Sequence, residues 1–93
     1  MATLELKKTA KINGEDVTKI EYDLDNLTGE DIANAIKMLA KNNIIVTLTE
    51  TDSNYHAAIF AIAAGVDYLD IKRLGAKDYV KACNTVRDFF LEE

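Results

Sequence analysis

Ninety-three residues, 48% of them apolar and 29% charged, suffice for one hydrophobic core and exclude both a multidomain protein and a wholly disordered one. A formal charge of −5 with no Lys/Arg block excludes the basic face by which proteins neutralise nucleic-acid phosphates or anionic membranes. No apolar run approaches the roughly 20 residues that span a bilayer, and the start Met1-Ala2-Thr3-Leu4-Glu5 lacks the basic-then-apolar order of a signal peptide.

From Thr3 to Ile12 the apolar residues Leu4, Leu6, Ala10 and Ile12 fall on even positions, the period-two pattern of a half-buried strand, interrupted only by Lys8. Asn13-Gly14 is the dipeptide that best tolerates positive φ at both centres of a two-residue hairpin turn. The second strand reaches Leu24 through Val17, Ile20 and Tyr22. A plain two-residue turn pairs even positions with odd ones and sets Leu6 against Glu21. The pattern therefore predicts one extra residue between Ile12 and Val17, as a bulge or a three-residue loop, so that Leu4 faces Leu24 and Leu6 faces Tyr22.

Thr28 reads as a helix cap, followed by acidic Glu30 and Asp31 where the helix dipole favours them. The helix over about 29–41 buries a stripe of Ile32, Ala35, Ile36 and Leu39 and ends at Asn42-Asn43. Residues 44–49 are short and β-branched, as a third strand or a buried linker would be; periodicity does not separate the two, and an extended segment is the expectation. Thr51-Asp52-Ser53 caps a second helix over about 53–64, nearly all apolar from Ala57 to Ala64 and closed by Gly65. It is the expected centre of the core. A short helix spans about 67–74, and a last one over about 77–91 carries a stripe of Tyr79, Cys83, Val86 and Phe90 with Val80 and Phe89 beside it. The fold class is α+β, a single domain made of a hairpin over about 3–24 followed by a small bundle of three to four helices. The absence of proline leaves the boundaries to glycine, asparagine and caps.

No catalytic arrangement is visible, and the chain reads as non-enzymatic. His56 is the only histidine and reads as a surface or rim residue. Cys83, the only cysteine, lies on an apolar stripe and reads as inert core, as suits a reducing cytoplasm. The carboxylates Asp23, Asp25, Glu30 and Asp31 are accounted for by solvation and capping, and Glu92-Glu93 by a solvated tail. Gly14, Gly29, Gly65 and Gly75 are too far apart for a phosphate-cradling loop, and Asp23-Leu24-Asp25 lacks the rest of a calcium loop. Neither a metal nor another cofactor is expected. Asp52-Ser53 shares its aspartate-serine order with the phosphopantetheine site of acyl carrier proteins. Here, however, polar Asn54 follows, the chain opens on a hairpin, and helix capping explains the pair more simply.

Ile12-Asn13-Gly14-Glu15-Asp16-Val17, followed by Tyr22-Asp23-Leu24-Asp25-Asn26-Leu27-Thr28-Gly29-Glu30-Asp31-Ile32, resembles the opening of small tail assembly proteins of long-tailed bacteriophages and prophages. Tyr55-His56-Ala57-Ala58-Ile59, Ala63-Ala64-Gly65-Val66, Leu74 before Asp78-Tyr79, and Val86-Arg87-Asp88-Phe89-Phe90-Leu91 extend the resemblance over most of the chain except residues 44–49. It rests on packing and capping residues, so it transfers no active-site residue. What it implies is a cytoplasmic tail assembly chaperone that binds the tape measure protein, with the tail tube protein as a further partner. Spare apolar surface of that kind also serves self-association. The rival expectations are a structural tail completion or connector subunit and a protein-interaction module unrelated to phage. On a 3.6-residue helix Phe89 lies about 100 degrees round from Phe90, so either both phenylalanines cover the core edge near the chain end or one of them is left over once the stripe is buried. In the second case Phe89, Leu91 and Tyr68 are the expected apolar centre of a binding surface, with Arg87 and Asp88 at its rim.

Overall fold

The computed structural model describes residues 2–42 and 53–91, so the expected extended segment at 44–49 lies outside the described residues. Two strands, β1 (Ala2–Ile12) and β2 (Glu15–Tyr22), form an antiparallel hairpin, followed by α1 (Gly29–Lys41), α2 (Ser53–Ala64), α3 (Tyr68–Lys72) and α4 (Ala76–Leu91). This is the α+β hairpin-and-bundle arrangement read from the sequence, with four helices among the described residues.

Asn13 and Gly14 adopt φ of 54° and 82°, so the two-residue turn closes as its residue types predict. Beside it Ile12 pairs with Glu15 and Ala10 with Val17, whereas at the far end Glu5 pairs with Lys19 and Leu4 with Ile20. Between the two stretches β1 advances five residues and β2 only two, so β1 holds three extra residues. The irregularity inferred from parity is present, but it lies in β1 between Glu5 and Ala10 and not between Ile12 and Val17. Leu4 accordingly faces Ile20 and not Leu24. Three, like one, is an odd number, and either restores the match of inward-facing residues. What permits the larger bulge is a long-range partner: the Asp78 carboxylate, on the first turn of α4, accepts from Lys7 N–H at 2.9 and 3.1 Å and from Lys8 N–H at 3.1 Å. Main-chain donors that the ladder forfeits are thus satisfied from α4.

Thr28 and Asp31 form a reciprocal capping box: the Thr28 hydroxyl accepts from Asp31 N–H and the Asp31 carboxylate from Thr28 N–H. In α1 the fully buried residues are Ala35 and Leu39, flanked by half-buried Ile32 and Met38. Ile36, expected on the same stripe, is 42% exposed, because the buried face turns towards Met38 instead.

In α2 the seven consecutive residues from Tyr55 to Ala61 are buried, and it packs against α1, α3 and α4, which makes it the centre of the core. It stops in a Schellman arrangement: Gly65 takes φ of 70°, its N–H donates to Ile62 C=O, and Val66 N–H donates to Ala61 C=O at 2.9 Å. His56 is buried at 4% exposure, which corrects the expectation of a rim residue. On a helix surrounded by neighbours every face is an inner face, and a polar residue beside Tyr55 is enclosed with it.

Candidate functional site

The sequence-derived surface is built from the last turn and a half of α4. Ala82, Cys83 and Val86 are buried and Tyr79 is half-buried, so the helix faces the core along these residues. The stripe then drifts towards Phe89, which is half-buried and lines a groove of about 240 Å³ with Ala2, Tyr22, Leu24 and the neighbouring aspartates at the open end of the hairpin. Phe90 is 40% exposed and Leu91 72% exposed. The two phenylalanines therefore exchange the roles read from the sequence: Phe89 belongs to the core edge and Phe90 is the one left over. Phe89 lies seven residues beyond buried Ala82 and three beyond buried Val86, so it continues that side of the inner face, and packing turns this side rather than the Cys83–Phe90 side towards the hairpin. Phe90 keeps one side against the protein, with its ring 6.4 Å from that of Tyr55 in a stacked pair and 5.4 Å from that of Phe89 edge-on.

Of the remaining candidates, Arg87 and Asp88 are exposed and form an ion pair at 3.6 Å, as a polar rim would. Tyr68 is a correction. It is 1% exposed, with its hydroxyl donating to Asn54 at 3.2 Å, so it belongs to the core and contributes nothing to an outer surface. Packing of the five-residue α3 against α2 buries it. The structure thus gathers Arg87, Asp88, Phe90 and Leu91 at one end of α4, with Phe89 behind them.

Cys83 is buried, and its thiol donates to Ser53 C=O at 3.4 Å. Burial raises its pKa, and the Tyr79 phenol beside it is pushed up to about 12, chiefly by burial and then by Cys83. Both stay protonated at neutral pH, the opposite of an activated nucleophile. Among the described residues no three His, Cys, Asp or Glu side chains gather as metal ligands would, and no helix is long and apolar enough to cross a membrane.

A second place on the molecule carries organised polar groups that residue-type reasoning missed. Asp78 is 2% exposed, and its carboxyl is held below the usual carboxylate range first by Lys7 N–H, then by Lys8 N–H and the Lys81 and Lys7 charges, against the opposing effect of burial. Around it a groove of about 460 Å³ is lined by Lys7, Lys8, Gly75, Ala76 and Lys77. Its one trace in the sequence is Lys8, the residue that breaks the alternation of β1. Comparison of the chain with protein-family models, curated proteins and solved structures returned no match.

Proposed function

We propose that this protein is a non-enzymatic tail assembly chaperone of a long-tailed phage or prophage, acting in the host cytoplasm by covering the apolar face of a tape measure protein until the tail tube encloses it. The observation that carries the reading is the exposed Phe90-Leu91 pair, 40% and 72% accessible, at the end of the Val86–Leu91 stretch that also bears the family resemblance. A tape measure protein is a long helical chain whose apolar stripe faces water before the tube forms, and such a stripe needs a temporary apolar cover. An aromatic ring and an adjacent leucine held on a rigid helix, rimmed by the Arg87–Asp88 pair, supply apolar contact at little entropic cost. The net charge of −5 keeps a protein carrying such a surface in solution.

The test is co-expression with the tape measure protein of the same phage or prophage, followed by mass spectrometry of purified particles. The expected outcome is a tape measure protein that stays soluble only when this chain is present, and particles that lack the chain. Stoichiometric retention in the particle would favour a tail completion or connector subunit instead.

A further inference from the structure

We propose that the groove over the β1 bulge is a docking site for an acidic segment of a protein partner, a feature separate from the Phe90-Leu91 surface and independent of the tail-assembly reading. In a regular strand successive side chains point to opposite faces, so adjacent lysines cannot line one groove. Here the three-residue bulge brings Lys7 and Lys8 to the same groove, and Lys77 on the first turn of α4 joins them. Gly75 makes the arrangement fit. A Cβ at that position would lie 3.2 Å from Lys8 Cδ, so a larger residue would push the Lys8 stem outward by a few tenths of an ångström. The Asp78 oxygens accept from the main-chain N–H groups of Lys7 and Lys8, and its charge offsets the lysine charges only in part. Neither ion pair among the described residues, Asp70–Arg73 or Arg87–Asp88, involves Lys7, Lys8 or Lys77.

Charge complementarity selects the occupant. The lining residues Lys7, Lys8 and Lys77 against Asp78 make a local charge of +2, which leaves −7 on the rest of a −5 chain. A nucleic acid or an anionic bilayer extends far beyond a groove of this size and would meet that acidic remainder, whereas a short Asp/Glu-rich peptide stretch meets only the lysines. The bulge costs ladder hydrogen bonds, and strand irregularities of this type characteristically re-aim side chains at functional places.

Amide NMR of the full chain titrated with a hexaglutamate peptide tests the proposal, with hexaglutamine as the neutral control. The expected result is saturable shifts confined to the amides of residues 6–9 and 75–78, absent with the control and at molar salt. The combined Lys7→Gln, Lys8→Gln and Lys77→Gln variant should bind at least about tenfold more weakly. Its Asp78 contacts survive because they use main-chain donors, and unchanged shifts elsewhere verify the fold. The corresponding Lys→Arg variant should keep binding. Shifts that are absent, that spread to Lys19, Lys37 and Lys41, or that persist in the glutamine variant would overturn the proposal, as would tighter binding of a short oligonucleotide of equal charge in the same groove.

Discussion

Asp78 does the work of a ladder partner for residues 71 and 70 positions away in the chain. A carboxylate whose folded pKa is depressed contributes stability that is present above its unfolded pKa and lost as pH falls through the folded value, so this contribution disappears only in acid below the usual carboxylate range. Asp78→Asn removes the charge and turns an NH₂ donor towards main-chain donors. The variant should unfold more readily at neutral pH and lose less of its remaining stability on acidification. Urea unfolding from neutral pH downward measures both, and parallel pH profiles for the two proteins would show that the carboxylate is not held as described. Cys83 gives a second residue-scale expectation: alkylation slow in the native protein and fast after denaturation, with Cys83→Ala costing about 1 kcal/mol. Its burial was legible from helical spacing alone. Asp78 was not, because nothing in a first-turn aspartate distinguishes a dipole-stabilised surface residue from one that reaches across to a strand.

At the scale of elements, the boundaries that local chemistry sets were readable. The Asn13-Gly14 turn, the Thr28 cap and the Gly65 stop each rest on residues within a few positions of one another. Gly65→Ala should therefore cost about 1 kcal/mol in urea unfolding, since the C′ position holds a positive φ that a Cβ disfavours; an unchanged midpoint would show that α2 does not need its Schellman stop. Elements whose detail depends on neighbours were less readable. Parity called for an odd insertion in the hairpin but placed it wrongly, between Ile12 and Val17, because the partner that stabilises the bulge lies on α4. Ile36 and Phe90 looked inward by periodicity and are exposed, since a stripe of three or four apolar residues leaves the helix free to rotate by tens of degrees until packing fixes it.

For the molecule as a whole, side chains of the C-terminal helices fasten the outer length of β1 to the bundle: Lys81 Nζ donates to Glu5 C=O, Asp78 accepts from Lys7 and Lys8, and Asp70 accepts from Asn13 N–H at 3.1 Å. A strand that would otherwise present open hydrogen-bonding groups is covered by polar contacts as well as by Leu4, Ala10 and Ile12 in the core. At the end of α4 the apolar pair Phe90 and Leu91 stays partly exposed. Phe89→Ala, at the core edge, should cost about 1–3 kcal/mol, whereas Phe90→Ser with Leu91→Ser should cost about 1 kcal/mol, chiefly the ring contacts of Phe90 with Tyr55 and Phe89. Capture of the tape measure protein from a co-expressing cell by this double variant tests the functional reading most directly. The account predicts that capture is lost although the variant still unfolds in one cooperative urea transition, with no more than that small loss of stability, and undiminished capture by the folded variant would contradict it.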